Sequence, residues 1–225
     1  MKRAMSGEMF GAQWEGRGSR PEPAVHGPRH SPWTIALHWS TVLAIVVAVT
    51  AVLTREAVED KHLRQVLIDA HRQAGLYVLV AWVLRIAVRL RVGMAEAARD
   101  MPRALRWAAK AAHAALYAVL LVLTLLGWAG TSAHGVPLRL FGALPLPNLV
   151  DDDPDLADML TDWHLWTAWL LLGLVVAHVS AACWHHFVRR DDVLRAMLPW
   201  LARRRRAAPP PQAEPGGPAD SPLLQ

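Results

Sequence analysis

The chain has 225 residues, of which 53% are hydrophobic and 19% charged, a composition that is apolar and poor in charge for a soluble domain. Its single cysteine, Cys183, excludes an internal disulfide, a Cys-x-x-Cys metal or redox site and an all-cysteine iron–sulfur cluster. The formal net charge of +5 is compatible with nucleic-acid binding, but the distribution of the basic residues favours another explanation.

Residues 1–31 contain no continuous apolar run, so we expect a cytoplasmic extension rather than a cleavable signal peptide. Residues 32–200 contain four apolar stretches, each long enough to cross a bilayer, which takes about 20 helical residues. They cover about 33–54, 66–89, 108–130 and 161–188. None alternates as a strand would. The predicted fold class is therefore all-α, an up-and-down bundle of four transmembrane helices. Residues 201–225 begin with a basic run and become Pro-rich, and we expect them to be disordered.

The basic residues are concentrated on one side of the predicted membrane. Nineteen Lys and Arg lie before the first helix, between the second and third, or after the fourth, whereas five lie in the other two connections. By the positive-inside rule, both termini are expected in the cytoplasm of a bacterial inner membrane. The connection between the third and fourth helices is acidic, with Asp151, Asp152, Asp153, Asp155, Asp158 and Asp162. Membrane topology thus accounts for the basic excess, and we expect a lipid bilayer and no nucleic acid as a partner.

Histidines inside these helices are candidate functional residues, because an ionisable group in a bilayer is costly and usually faces the bundle interior. His164 and His178 are 14 residues apart, nearly four turns, so both project from one helix face and lie about 21 Å apart along the axis. Two stacked cofactors can occupy that length. A haem iron held by two imidazoles needs a second histidine at each level, from another helix.

The outer level has a partner of matching depth. His71 lies about five residues inside the outer end of the second helix, and His164 about three residues inside the outer end of the fourth. The inner level stays open, although His38 on the first helix enters from the cytoplasmic side. The other histidines compatible with this level are His113, His185 and His186.

Two further explanations fit histidines in a membrane bundle. The side chains could form hydrogen bonds between helices or belong to a proton path. A zinc site fits less well, because the candidates lie at two levels and no third or fourth ligand joins them at a suitable spacing.

Each of the four predicted helices carries a different short motif that contains histidine or arginine, and a further motif follows the fourth helix. They are Ala36-Leu37-His38-Trp39, His71-Arg72-Gln73-Ala74-Gly75, Leu84–Leu90 with Arg85 and Arg89, His113-Ala114-Ala115-Leu116-Tyr117, Trp163-His164, His178, His185-His186-Phe187 and Asp191–Pro199. In the order and spacing of these histidines, residues 32–200 resemble the bacterial cytochrome b561 family, four-helix membrane proteins that carry two b-type haems.

The resemblance implies a ligand set for each haem. His38 and His178 would hold the iron of an inner haem, and His71 and His164 the iron of an outer haem. The residues left as contacts of haem propionates or of a quinone are Arg72, Arg85, Arg89, His113 and His185.

The resemblance also implies a function. We expect electron transfer across the inner membrane between a periplasmic donor, with superoxide as one candidate, and the quinone pool. The alternative is a membrane subunit that passes electrons to quinone from a partner dehydrogenase or hydrogenase. A haem-free transporter or scaffold is a third class, and it predicts a colourless protein. The acidic connection argues against any family trait that needs a basic outer surface.

Overall fold

The computed structural model describes residues 31–92 and 102–190, together with Leu194, Met197 and Leu198. The extension before residue 31 and the tail after residue 200 lie outside the described residues. The helices are α1 (Pro32–Ala57), α2 (Lys61–Val92), α3 (Arg103–Ala133) and α4 (Pro154–Trp184), and a π-helical turn, His185–Arg189, continues α4. Strands β1 (Arg139–Leu140) and β2 (Leu144–Pro145) form an antiparallel hairpin in the α3–α4 connection. The predicted all-α fold with four helices is confirmed.

Each helix is longer than the apolar stretch that predicted it. Hydropathy marks only the lipid-crossing part, whereas α2 and α4 begin further out, at an aspartate that caps each of them. The Asp153 carboxylate accepts a hydrogen bond from the Leu156 backbone N–H at 3.1 Å, and Pro154 occupies the first turn, so α4 begins at residue 154. Asp60 does the same at the start of α2, where its carboxylate accepts from the Leu63 N–H at 2.7 Å.

The helices pack as two antiparallel hairpins, α1 on α2 and α3 on α4, with α2 also packing on α3. At mid-height a buried cluster takes one residue from each helix: Ala44, Val78, Leu120 and Leu171. We call this cluster the middle layer. Large apolar side chains point outwards, as at Leu90, which is 81% exposed, and Trp166, which is 74% exposed. All four helices are long and apolar enough to cross a membrane, and an apolar exterior is what a bundle surrounded by lipid requires.

One side chain of α2 holds the β-hairpin. The Gln73 amide Nε2 donates to the Arg139 carbonyl at 2.8 Å, and its Oε1 accepts from the Phe141 N–H at 2.9 Å. Phe141 has a φ of 51°, which is rare for a bulky residue. The two hydrogen bonds of the Gln73 amide thus help to stabilise a turn that the local sequence does not favour.

We expect Gln73→Leu to loosen the hairpin and leave the bundle intact. Two hydrogen bonds are lost, each worth about 1 kcal/mol net. Hydrogen–deuterium exchange of residues 138–146 should become about tenfold faster. Gln65→Leu is the matched control, because the Gln65 amide bonds only within α2, to Asp69. Equal exchange in both variants would show that Gln73 does not hold the hairpin.

Candidate functional site

The structure brings His71 of α2 and His164 of α4 together. Their ring centres are 6.0 Å apart and their planes are inclined by 74°. A metal–imidazole bond is about 2 Å long, and the ring centre lies about 1 Å beyond the nitrogen. Two imidazoles on opposite sides of one metal ion therefore have ring centres about 6 Å apart. We call these two residues the outer pair. Their spacing suits a metal ion held between the two helical hairpins.

Backbone carbonyls orient both rings of the outer pair. The His71 Nδ1 donates to the Ala48 carbonyl of α1 at 2.9 Å, and the His164 Nδ1 donates to the Leu123 carbonyl of α3 at 3.0 Å. Because a carbonyl only accepts, each Nδ1 carries the proton and each Nε2 keeps its lone pair. A histidine that binds a metal usually donates its other ring N–H in this way.

Gly127 makes room for the His164 ring. A Cβ at this position would lie 3.1 Å from His164 Cε1 and 3.3 Å from its Nδ1, closer than ordinary van der Waals contact. Gly127 is one helical turn beyond Leu123, whose carbonyl the same ring bonds. The α3 backbone therefore shapes the outer pair at two points.

A second group of polar side chains lies on the other side of the middle layer. It consists of His38, Arg85, His113, Tyr117 and His178, and we call it the inner cluster. The rings of His113 and His178 have centres 5.3 Å apart. The His113 Nδ1 donates to the Ala109 carbonyl, one turn earlier in α3, at 2.7 Å. The structure thus places His113, which the sequence left as one of several candidates, directly beside His178.

Arg85 contacts two other residues of the inner cluster. Its Nη2 lies 3.2 Å from the His38 Nδ1, and its guanidinium lies over the Tyr117 ring, 5.4 Å from the ring centre. Arg85 of α2 therefore lies between His38 of α1 and Tyr117 of α3.

The remaining predicted contacts lie in different surroundings. Arg72 forms an ion pair with Asp69 at 3.0 Å. The Arg89 guanidinium lies 5.6 Å from the centre of the Tyr117 ring. His185 is buried at the start of the π-helical turn, with its ring centre 5.3 Å from that of Trp184. In the next residue, His186, the buried Nδ1 has no hydrogen-bond partner among the described residues.

Some contributors to the site carry no signal in the sequence. Every helical residue has a carbonyl, so nothing marks those of Ala48 and Leu123. Tyr117 could have been found, because it follows His113 by four residues and therefore shares its helix face. The sequence does not mark the role of Gly127 either, because its contact with His164 depends on how α3 and α4 pack.

No three His, Cys, Asp or Glu side chains converge as a metal site within the described residues. A haem needs only two protein ligands, because the porphyrin supplies the others. The outer pair therefore fits a haem iron in ligand number, ligand type and spacing.

Known proteins resemble this chain along most of the described bundle. Residues 29–200 match the family model for prokaryotic cytochrome b561. "Cytochrome b561 homolog 2" of Escherichia coli K12 is 31% identical over 130 residues, which are 58% of this chain and 69% of that protein. "Cytochrome b561 homolog 1" of the same strain is 28% identical over 174 residues, 76% of this chain and 97% of that protein. "Probable superoxide oxidase CybB" of Yersinia pestis is 25% identical over 171 residues, 76% of this chain and 96% of that protein.

The family match covers well over half of the chain and includes all four helices with both histidine levels. The chain therefore belongs to the prokaryotic cytochrome b561 family and is a bacterial membrane cytochrome of b type that takes part in electron transfer.

Proposed function

We propose that the chain holds two b-type haems and transfers electrons between a donor outside the cell membrane and a quinone. The outer pair carries this proposal, because two imidazoles from different helical hairpins lie at the spacing of two ligands to one metal ion. A haem held by two histidines would supply one-electron chemistry there. The protein residues hold the rings, exclude water and set the charge around each level.

For the outer haem we propose His71 and His164 as ligands. Their Nδ1–H groups are already bonded to carbonyls, so Nε2 of each ring is available to the iron. For the inner haem we propose His38 and His178, as in the family. His113 is the competing ligand at this level, because its ring lies beside that of His178.

We propose that both termini lie in the cytoplasm and that the protein resides in the inner membrane. The uneven distribution of Lys and Arg between the two sides supports this orientation. The α1–α2 turn with the adjoining helix ends, residues 55–72, and the α3–α4 connection with the first turns of α4, residues 134–162, then face the periplasm. We call this surface the loop face. A donor bound at the loop face would lie next to the outer pair, and the inner cluster would lie beyond the middle layer.

The predicted polar contacts fit this scheme to different degrees. Arg72 is already paired with Asp69, so we regard it as a structural residue of the loop face. Arg89 and His185 remain proposed contacts of a propionate or a quinone near the inner haem. Their positions at the end of α2 and in the π-helical turn support a role at the cytoplasmic side.

The two candidate functions differ in the electron donor. The name of the Yersinia pestis relative, a probable superoxide oxidase, supports superoxide as the donor. The loop face, however, carries ten Asp and Glu against five Lys and Arg, so it repels an anion at long range. This charge favours the second candidate, a cytochrome subunit that accepts electrons from a partner dehydrogenase or hydrogenase with a basic docking surface.

The primary test is a haem count on detergent-purified protein, with a reduced-minus-oxidised spectrum. Two b-type haems per chain are expected. We expect His164→Ala to lose the outer haem and to keep the inner one, which lowers the count to about one. His62→Ala is the control, because His62 is exposed in the first turn of α2 and should leave both haems in place. Equal loss of both haems in His164→Ala would contradict the two-level assignment, and a wild-type protein without haem would end the proposal.

We expect Gly127→Ala to disturb the outer haem selectively. The added methyl group forces the His164 ring to move by a few tenths of an ångström and weakens its bond to the Leu123 carbonyl. The electron paramagnetic resonance signal and the midpoint potential of the outer haem should change, while those of the inner haem should not.

Gly130→Ala is the matched control in the same helix. A Cβ at Gly130 would lie 3.7 Å from the Leu160 Cβ, an ordinary contact. Replacing glycine by alanine stabilises a helix by up to about 1 kcal/mol at either position. A difference in the outer-haem signal between the two variants therefore reports the contact with His164. If the outer haem is unchanged in Gly127→Ala, the close approach of Gly127 to the His164 ring does not affect that haem.

Salt dependence distinguishes the two donors. Raising the ionic strength from about 10 mM to about 150 mM shortens the Debye length from about 30 Å to about 8 Å. Haem reduction by superoxide should then become severalfold faster, because repulsion is screened, whereas reduction by the cation hexaammineruthenium(II) should become slower. The double variant Asp158→Asn, Asp162→Asn should show smaller salt effects with both reductants. Fast superoxide-driven reduction that is independent of salt would contradict the electrostatic argument and favour the superoxide function.

A further inference from the structure

A small basic pocket opens on the loop face, between the end of α1 and the first turns of α2. Its volume is about 200 Å³, and it is lined by Arg55 of α1 and by Lys61, Arg64, Gln65 and Ile68 of α2. Three of the five Lys and Arg of the loop face therefore converge on one place. Among the described residues, no acidic side chain lines this pocket. The local charge is thus opposite in sign to that of the loop face as a whole.

The acidic residues of the α1–α2 turn point their charge elsewhere. Glu56 forms an ion pair with the Arg55 Nη1 at 2.7 Å, and its side chain is 65% exposed. The Asp60 carboxylate caps the first turn of α2, and Glu59 is exposed and does not line the pocket. Only one of the three basic side chains in the pocket therefore has a carboxylate beside it.

Two of the basic side chains have no anionic partner within the described part of the chain. Lys61 and Arg64 belong to neither of its ion pairs, although Arg64 is half-buried. Asp69, one turn further along α2, accepts hydrogen bonds from Gln65 and from Arg72, each at 3.0 Å. Water screens a half-buried charge less than an exposed one, so Arg64 attracts an anion strongly.

The pocket lies where the apolar parts of α1 and α2 end. The apolar stretch of α1 stops at residue 54 and that of α2 starts at residue 66, so Arg55 and Arg64 are the nearest charges outside them. Within these stretches, Leu53 is 66% exposed and Val66 is 48% exposed. Basic side chains at the end of an apolar helix face reach the level of the lipid headgroups. The pocket therefore lies at the membrane surface.

We propose that this pocket binds the phosphate of an anionic phospholipid in the leaflet that adjoins the loop face. Arg55 and Arg64 offer guanidinium groups from two helices, which match the geometry of phosphate oxygens, and Lys61 adds a third positive charge. Leu53 and Val66 contact the acyl chains below. The pocket is smaller than those that hold drug-sized ligands, so it suits a single phosphate group.

A phospholipid in this pocket links α1 and α2 above the outer pair. Arg55 follows Ala48, whose carbonyl orients the His71 ring, by two helical turns, and Arg64 precedes His71 by two turns. A phosphate held by both arginines therefore bridges the same helical hairpin about 10 Å further out. We expect the bound lipid to stabilise the α1–α2 turn. The site involves no redox step, and it does not depend on the number of haems.

The test measures hydrogen–deuterium exchange of residues 58–66 in the full-length holoprotein. The protein is placed in nanodiscs of phosphatidylcholine, with or without phosphatidylglycerol. Phosphatidylglycerol should slow the exchange of wild-type protein. In Arg64→Gln the exchange with phosphatidylglycerol should be about fivefold faster than in wild type, because one basic residue near anionic headgroups contributes about that factor. Residues 154–160, on the same face, report any general effect of the negative membrane surface.

Arg139→Gln is the matched control. It removes one positive charge from an exposed position of the loop face outside the pocket, so the protection of residues 58–66 should stay at the wild-type level. Equal protection in Arg64→Gln and Arg139→Gln would overturn the proposal. If Arg64→Gln does not yield folded protein, Lys61→Gln, at an exposed position, decides by the same comparison.

Two further outcomes concern the source of the phosphate. Excess inorganic phosphate, added to phosphatidylcholine nanodiscs at constant ionic strength, should leave the exchange of residues 58–66 unchanged. Protection as strong as that given by phosphatidylglycerol would assign the pocket to a soluble anion and overturn the phospholipid. Equal slowing of residues 58–66 and 154–160 by phosphatidylglycerol would also overturn it, since a surface potential alone explains that result. Each of these failures leaves the proposed electron-transfer function standing.

Discussion

The hydrogen bonds from two imidazole Nδ1–H groups to backbone carbonyls determine the organisation of this bundle. His71 of α2 bonds a carbonyl of α1, and His164 of α4 bonds a carbonyl of α3. Each bond lies within one helical hairpin and turns its ring towards the other hairpin, so that the two rings meet at 6.0 Å. In lipid, helices gain little from apolar contact alone, and such polar contacts contribute to their association. The same bonds thus stabilise the hairpins and hold the two rings of the outer pair beside each other.

The two histidine levels use opposite chemistry. At the outer level a backbone carbonyl accepts a hydrogen bond from each ring. At the inner level a charged side chain, Arg85, donates a hydrogen bond to His38. The middle layer of Ala44, Val78, Leu120 and Leu171 separates the levels and contains no polar side chain, so each level can keep its own electrostatic environment.

The sequence predicted what depends on position along a helix and missed what depends on helix rotation. Depth alone matched His71 with His164, and the structure places their rings together. Depth could not choose among the inner histidines, because the proximity of His113 to His178 is set by how α3 turns against α4. The β-hairpin escaped prediction because strands of two residues show no alternation, and a glutamine 66 residues away from Arg139 helps to hold it. The ligand roles themselves remain predictions.

The charge of the loop face is only partly required by the fold. Asp153 caps α4 and Asp155 lies in its first turn, where a negative charge interacts favourably with the helix dipole. Asp158 and Asp162 lie further along α4 and are exposed, and within the described residues neither forms an ion pair. Asp162 is only two residues before His164, so it places a negative charge close to the outer pair. It neither caps α4 nor lies in its first turn. The charge of the exposed first turns of α4 can thus vary without altering the contacts of the histidines inside the bundle.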